Sequence, residues 1–175
     1  GTTDIAILSL NDIVSSASVR IAGNVFDQDI IKYIREKYKL LIGERTAEDI
    51  KINFANIFDP NKKEKVEVRG RNLITGLPQE IEINQEETKE ALSESLEKII
   101  KATTNVLEQT PPELAGDIVE KGIVLTGGGA MLKGLPELLE KELKVPILIA
   151  ESPLTCVAEG TGTLLDNISL LEEDQ

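Results

Sequence analysis

The first part of the chain predicts two strands followed by two helices. Apolar residues occupy both faces of 5–10, which predicts a buried strand, and 13–21 alternates apolar with polar positions, which predicts its hairpin partner. Apolar residues then recur every three or four positions over 24–39 and over 47–57, the spacing of amphipathic helices. The second helix should end before Pro60, because proline lacks a backbone N–H donor.

The middle of the chain predicts a hairpin and a long helix. Segments 66–73 and 80–83 alternate apolar and polar residues on either side of a Thr-Gly-Leu-Pro turn, which predicts an antiparallel pair. An apolar stripe over 92–107 predicts a helix. Asn84 is followed three residues later by Glu87, the spacing of a capping box, in which each side chain accepts a hydrogen bond from the other residue's backbone.

The last third predicts alternating helices and strands. In order they are a helix over 111–120 capped by Thr110, a strand over 122–126, a helix over 132–143, a strand over 145–150, and a final helix that opens at 152–155 and reaches Ile168 before an acidic tail over 172–175. This alternation is typical of an α/β fold, in which helices cover the faces of a sheet.

Charge and residue counts exclude several kinds of function. The 175 residues include 31 Asp and Glu against 19 Lys and Arg, a net charge of -12, which argues against nucleic acid as the main partner because phosphate binding draws on an excess of basic residues. The chain has no His and a single cysteine, Cys156, so a Cys/His zinc cluster and a Ser-His-Asp triad each lack an essential part. No apolar run is long enough to span a bilayer and no signal peptide opens the chain, so a cytosolic location is expected.

A glycine-rich segment is the most informative local feature. Gly127, Gly128 and Gly129 lie between a predicted buried strand and a predicted helix. Consecutive glycines let the backbone turn sharply and approach a ligand closely, and the start of a helix offers free N–H groups to an anion. A structural strand-to-helix turn is the alternative. The spacing does not fit the Walker phosphate motif, because Leu135 stands where that motif requires lysine.

The opening residues are a weaker candidate for a phosphate and metal site. Gly1, Thr2 and Thr3 offer backbone N–H groups and two hydroxyls that can hold a phosphate, and the Asp4 carboxylate can organise water around Mg²⁺. Turns rich in Ser and Thr are common before strands for purely structural reasons, so both interpretations stay open from these residues alone.

Eight segments, in one order along the chain, carry a family resemblance. They are GTTDIAILSL at 1–10, RIAG at 20–23, LIGERTAE at 41–48, VRGR at 68–71, TGLP at 75–78, TPPELA at 110–115, GIVLTGGGA at 122–130 and PLTCVA at 153–158. Together they closely resemble the MreB family of bacterial actin-like cell-shape proteins. The resemblance covers the entire chain but corresponds to only the second half of the family's protein.

The resemblance implies one half of an actin-type ATPase fold. This half would be α/β, a ribonuclease H-like mixed sheet with flanking helices, plus a smaller α+β outer subdomain. Residues 1–21 and 94–175 would form the inner subdomain and residues 22–93 the outer one. The full-length parent would be an ATP-binding cytoskeletal protein and slow ATPase that polymerises head to tail and determines cell shape. It would be cytoplasmic and associated with the membrane as filaments.

The resemblance also implies a set of nucleotide contacts. They are Gly1, Thr2, Thr3, Glu48, Lys51, Gly127, Gly128, Gly129, Ala130 and Met131. Thr2, Thr3 and Asp4 would position water and Mg²⁺, with Asp4 acting on the metal through water. Without the resemblance, Glu48 and Lys51, three apart on one predicted helix face, would be assigned to an ordinary solvated ion pair.

The half of the family's protein that this chain does not match limits what we expect of it alone. That half carries the first phosphate loop, the catalytic carboxylate region and the membrane-touching segment, so the chain alone should bind ATP or ADP and Mg²⁺ weakly at best and should not hydrolyse ATP. Expected partners are a second copy, the missing half and other cell-shape or division proteins. The alternatives are half of a chaperone or metabolic kinase of the same superfamily, or an interaction module whose outer subdomain docks partners.

Overall fold

The computed structural model describes residues 2–9, 12–150 and 168–173. In chain order the elements are β1 (Thr2–Ser9), β2 (Asp12–Val19), α1 (Gly23–Tyr38), β3 (Leu40–Leu41), α2 (Glu44–Asn53), β4 (Lys65–Asn72), β5 (Pro78–Asn84), α3 (Gln85–Glu108), α4 (Pro112–Lys121), β6 (Ile123–Leu125), a 3₁₀ turn (Gly128–Met131), α5 (Leu135–Leu143), β7 (Ile147–Ile149) and β8 (Ile168–Glu173).

The chain forms two compact units. The first comprises Gly1–Gly23, Leu96–Met131 and Leu135–Gln175, and the second comprises Asn24–Ser95 and Leu132–Gly134. The second unit therefore contains a three-residue segment that is far from the rest of it in sequence. The chain enters this segment directly after the 3₁₀ turn and leaves it at the start of α5.

The first unit is built on a five-stranded mixed sheet in the order β2-β1-β8-β6-β7. β1 is antiparallel to β2 and to β8, whereas β6 runs parallel to β8 and to β7. Ile5 and Ile7 on β1 and Ile123 and Leu125 on β6 are buried in the core. The strands predicted near 5–10, 13–21, 122–126 and 145–150 are confirmed, since β1, β2, β6 and β7 all belong to this sheet.

The segment that begins at Ile168 is a strand, so the prediction of a helix reaching Ile168 and an acidic tail after it was wrong. Ile168 pairs with Ile7 on one side and with Ile123 on the other. A short apolar run can form either a helix or a strand, and here its backbone finds hydrogen-bond partners on two neighbouring strands at once. The rest of the predicted helix, 152–167, lies outside the described residues, and so does Cys156.

The start of α4 differs from the predicted cap. The helix begins at Pro112, and Pro111 occupies the cap position without a side-chain hydrogen bond. The Thr110 hydroxyl instead donates to the Val106 carbonyl at 3.0 Å. Thr110 does not cap α4, because its hydroxyl is bonded to the last turn of α3. Proline was predicted at the first helical position, but as Pro111; in the structure Pro112 takes that position.

The second unit contains α1, α2 and the first part of α3 together with a three-stranded antiparallel sheet in the order β3-β4-β5. Phe26, Ile30 and Ile34 of α1 recur at the predicted helical spacing and are buried, as is Val68 of β4. β3 was not predicted, since two residues are too few for a periodic pattern. The helix predicted over 47–57 ends at Asn53, and the buried residues that follow form a turn.

The predicted capping box at the start of α3 is confirmed. The Asn84 N–H donates to Glu87 Oε2 at 2.9 Å, and the Glu87 N–H donates to Asn84 Oδ1 at 3.1 Å. Glu87 is buried, and its other oxygen accepts a hydrogen bond from Lys37 Nζ at 2.6 Å and bonds from the Tyr33 and Tyr38 hydroxyls. One carboxylate therefore both caps α3 and ties that helix to α1.

The side chains of this Glu87 network have shifted pKa values, and the shifts favour one set of charges at neutral pH. Burial acts to raise the pKa of Glu87, but hydrogen bonds from Lys37, Tyr38 and Asn84 outweigh it, and the pKa lies below its ordinary value of 4.5. The bond to Glu87 raises the pKa of Lys37 above its ordinary value. Burial raises the pKa of Tyr33 to about 12. At neutral pH the network thus holds one carboxylate, one ammonium group and neutral phenols.

Replacing Glu87 by glutamine should lower the free energy of unfolding at pH 7 by about 2 kcal/mol, because the amide offers one acceptor oxygen where the donors of Lys37, Tyr38 and the Asn84 backbone use two, and an unsatisfied buried donor costs roughly 1–3 kcal/mol. The carboxylate stabilises fully above its unfolded pKa near 4.5, and this contribution is lost as pH falls through the lower folded value. Urea unfolding of wild type and variant should therefore give a difference in unfolding free energy that is largest at neutral pH and disappears below the folded pKa of Glu87.

Glu90→Gln is the matched control for this measurement. Glu90 is exposed and accepts a single described side-chain bond, from the Tyr33 hydroxyl at 3.0 Å. We expect a change of less than about 0.5 kcal/mol, as for most surface substitutions. A Glu87→Gln variant as stable as wild type at pH 7, or a gap that does not change with pH, would contradict the assignment.

Candidate functional site

The start of β1 and the glycine segment lie at the same edge of the five-stranded sheet. Ile5 on β1 pairs with Leu170 on β8, and Leu170 pairs with Leu125 at the end of β6. Because β1 runs antiparallel to β8 and β6 runs parallel to it, the amino end of β1 and the carboxyl end of β6 point to one edge. One strand separates them, a spacing of roughly 10 Å.

The glycine segment leaves β6 at this edge through a conformation that favours glycine. Gly127 has φ of 88°, in the left-handed region where other residues are strained. Gly128–Met131 then forms a single 3₁₀ turn, with the Ala130 N–H donating to the Gly127 carbonyl at 3.3 Å. Ala130 is buried and Met131 is exposed. The backbone turns sharply here, as the three glycines predicted.

The helix after this turn begins later than predicted. α5 starts at Leu135 rather than at Leu132, because the backbone at Gly134 has φ of 93° and cannot be helical there. The backbone N–H groups beside the glycines thus belong to a short 3₁₀ turn and not to the start of a long helix. The apolar spacing of Leu132 and Leu135 did not reveal this, since both residues are buried in either case.

The opening residues divide between the two faces of β1. Thr3 is 3% exposed on the core face with Ile5 and Ile7, and its hydroxyl donates to the Ile21 carbonyl at 2.5 Å. Asp4 alternates to the other face, where it is partly exposed. Thr2 begins the strand, and Gly1 lies outside the described residues. The Thr3 hydroxyl is therefore already bonded to Ile21, two residues beyond the end of β2.

Glu48 and Lys51 lie on α2, in the second unit. Lys51 Nζ is 3.0 Å from Asp27 Oδ1 of α1, and both side chains are about 15% exposed. The approach has the distance of an ion pair but not the direction of a hydrogen bond, so the attraction is chiefly between charges. Sequence analysis missed Asp27, because no local pattern links residues on two different helices. Glu48 is exposed.

Within 2–9, 12–150 and 168–173, no three His, Cys, Asp or Glu side chains converge as a metal-binding cluster. Among the helices of that same part of the chain, none has the length and apolar character needed to cross a bilayer.

Comparison with known proteins decides the family. The family model for MreB/Mbl protein matches residues 1–173. The chain belongs to the MreB/Mbl family. Its curated relatives in this family include the cell shape-determining protein Mbl of Bacillus subtilis, 54% identical over 171 residues, and the cell shape-determining protein MreB of Escherichia coli, 50% identical over 170. Those alignments cover 98% and 97% of this chain but 51% and 49% of the relatives. The chain spans about half the length of these MreB/Mbl proteins.

Solved structures agree with the MreB/Mbl assignment. MreB5 of Spiroplasma citri bound to AMPPNP is 42% identical, with a TM-score of 0.87 over 93% of this chain and 49% of that one. A MamK bound to AMPPNP is 25% identical, with a TM-score of 0.72 over 89% of this chain and 48% of that one. The family resemblance and the predicted α/β half of an actin-type fold are both confirmed.

Proposed function

We propose that this chain forms one wall of a nucleotide site in an MreB-type cytoskeletal protein, which binds ATP or ADP, assembles head to tail and determines cell shape. One observation carries the proposal: the start of β1 and the glycine segment meet at one edge of one sheet. Ligands of open α/β sheets collect at such an edge, beyond the carboxyl ends of parallel strands. In the same family, MreB5 of Spiroplasma citri is crystallised with AMPPNP and with ADP.

In this proposal the glycine segment contacts the adenosine. Gly127 adopts a φ of 88°, which residues with a Cβ rarely adopt, and without a side chain its backbone can approach a ligand closely. Gly128 and Gly129 continue the segment without side chains, and Ala130 and Met131 end it. The local geometry supports these roles, since the segment turns away from the sheet as soon as β6 ends.

The phosphate end of the proposed site is formed by the first residues of the chain. Gly1 and Thr2 contribute backbone N–H groups, and Asp4, partly exposed on the outer face of β1, acts on Mg²⁺ through water. When bound, the metal would neutralise phosphate charge. Thr3 acts differently from its neighbours, because its hydroxyl already holds the Ile21 carbonyl. Its part is to position the strand end that carries Thr2 and Asp4.

Glu48 and Lys51 are assigned to the ribose and adenine. The position of the Lys51 ammonium is set by Asp27, 3.0 Å away. A largely buried ion pair fixes a long side chain that would otherwise sample many rotamers. The Lys51 side chain is thus held in place before the nucleotide binds, with its charge balanced by Asp27.

Head-to-tail assembly is supported by an apolar tip on the β4–β5 hairpin. Ile74 is 80% exposed and Leu77 is 64% exposed, with Leu73 beside them. The turn is held by Asn72, whose Oδ1 accepts the Ile74 and Thr75 N–H groups at 2.8 and 2.9 Å. A rigid, exposed apolar group of this kind is typical of a protein–protein contact. We assign it to a second copy, with other cell-shape or division proteins as further partners in the cytoplasm.

Calorimetric titration and sedimentation test the proposal. At full encoded length the protein should bind ADP·Mg²⁺ and pellet as polymer with ATP, whereas this chain alone should bind more weakly and should not hydrolyse ATP, since a one-walled site leaves the ligand in water. A chaperone or metabolic kinase of the same superfamily would bind nucleotide but stay in the supernatant. Sub-micromolar affinity of the chain alone for ADP·Mg²⁺ would contradict the proposal that it supplies only one wall of the site.

A further inference from the structure

The segment directly after the glycine segment is anchored to the second unit. Leu132–Gly134 packs with that unit, although Gly127–Met131 before it belongs to the first. The Ile57 N–H donates to the Lys133 carbonyl at 3.1 Å, and Leu132 is buried. Sequence periodicity assigned these residues to the beginning of a helix. In the structure they form a separate attachment point, one residue beyond Met131.

Gly134 makes this attachment a close backbone-to-backbone contact. A Cβ at this position would lie 2.7 Å from the Phe58 nitrogen and 3.0 Å from Asn56 Oδ1. The φ of 93° would also strain any side chain. Glycine is therefore required twice over, by the close approach and by the backbone conformation. Neither requirement comes from the fold of α5, which starts only at the next residue.

The turn that receives Gly134 is itself firmly held. Asn56 Oδ1 accepts the Phe58 and Asp59 N–H groups, both at 3.2 Å, and Asn56 Nδ2 donates to the Asp59 carbonyl at 3.1 Å. The Asn56 N–H donates in turn to the Thr88 hydroxyl at 3.2 Å. Asn56 is buried, so each of these bonds satisfies a group that water does not reach.

The turn is also tied to the start of α3. The Thr88 hydroxyl donates to the Gln85 carbonyl at 2.6 Å, and Gln85 Nε2 donates to the Phe54 carbonyl at 3.0 Å. These residues adjoin the capping box. A continuous set of hydrogen bonds thus runs from the first turn of α3 to Asn56, and the backbone of Gly134 rests on the far end of it.

We propose that Asn56 and Gly134 are positioning residues that hold the outgoing end of the glycine segment in its nucleotide-binding shape. The inference rests on the proposed nucleotide site and adds residues that do not touch the ligand. Because Leu132 follows Met131 directly and is itself buried, the carboxyl end of the segment has less conformational freedom to lose on binding, which favours affinity. By linkage, nucleotide bound at the segment stabilises the Asn56 turn in return.

Gly134→Ala at full encoded length tests the proposal, with Gly116→Ala as the matched control. A Cβ at Gly116 on α4 meets nothing within 4 Å. We expect the Gly134 variant to bind a fluorescent ADP analogue at least tenfold more weakly, and the Gly116 variant to bind as wild type does. Hydrogen exchange provides the second readout: ADP should slow exchange of the Ile57 and Phe58 amides in wild type but not in the Gly134 variant.

Asn56→Asp covers the case in which Gly134→Ala does not fold. Aspartate keeps the two bonds that Oδ1 accepts and loses the one that Nδ2 donates, so about a threefold loss of affinity and a reduced ADP effect on exchange are expected. Wild-type affinity together with wild-type protection in a folded Gly134 or Asn56 variant would overturn the proposal and leave the nucleotide site standing. If the wild-type protein bound no ADP, both the proposed nucleotide site and the positioning role would be wrong.

Discussion

We expect the Ile74→Asp variant, at full encoded length, to need at least a tenfold higher concentration to form filaments than the wild-type protein. Burying an isoleucine side chain contributes about 1.5–3 kcal/mol, and each 1.4 kcal/mol is a factor of ten in an equilibrium constant. A carboxylate at the same place would in addition lose its water on assembly. Sedimentation with ATP over a series of protein concentrations measures the effect.

The hairpin itself should tolerate this change. Ile74 is 80% exposed and contributes only its backbone N–H to the turn, through the bond to Asn72 Oδ1. The variant should therefore unfold at the same temperature as wild type. Ile52→Asp is the matched control, because Ile52 is also an exposed isoleucine, at 64%, but lies on α2. If Ile74→Asp assembles at the wild-type concentration, the apolar tip is not the contact between copies.

The second large effect is expected at the glycine segment. Gly127→Val should weaken ADP binding at least thirtyfold. The left-handed conformation at this position, φ of 88°, costs a residue with a Cβ roughly 1–2 kcal/mol. In the proposed site, a β-branched side chain would also stand between the backbone and the adenosine. Titration with a fluorescent ADP analogue, below the concentration at which filaments form, measures the loss.

Gly76→Val separates local strain from the loss of a ligand contact. Gly76 has φ of 76° and a Cβ there meets nothing within 4 Å, so valine brings comparable backbone strain to the β4–β5 turn. Its ADP affinity should stay within about twofold of wild type, since Gly76 belongs to the second unit and not to the glycine segment. Equal losses in both variants would mean that strain, and not the site, explains the result at Gly127.

Local patterns predicted local structure well. The capping box at Asn84 and Glu87 needs residues only three apart, and the structure contains both of its hydrogen bonds. Phe26, Ile30 and Ile34 predicted α1 because one helix face repeats every three to four residues. Thr110 shows where such patterns fail. The residue type was right for a cap, but its hydroxyl bonds to Val106 in the preceding helix.

The least predictable features depend on partners far away in sequence. Ile168 continues a helical pattern, yet it pairs with Ile7 and Ile123, and the sequence around it contains no sign of either. Lys51 and Asp27 form an ion pair between two helices. The apolar pattern places Gly134 in a helix, whereas its backbone packs against the turn at Asn56.

By itself, the sequence was enough to determine the family, the actin-type α/β fold and the elements whose signals repeat within a few residues, because those depend on backbone propensity and on spacing along the chain. Only the tertiary structure decided which strands are neighbours, and so brought the start of β1 and the glycine segment to one edge of the sheet. It also decided that the Thr3 hydroxyl belongs to Ile21. The choice of neighbouring strands is settled by hydrogen bonds and packing between distant segments, whereas a periodic pattern reports only which face of its own strand a residue occupies.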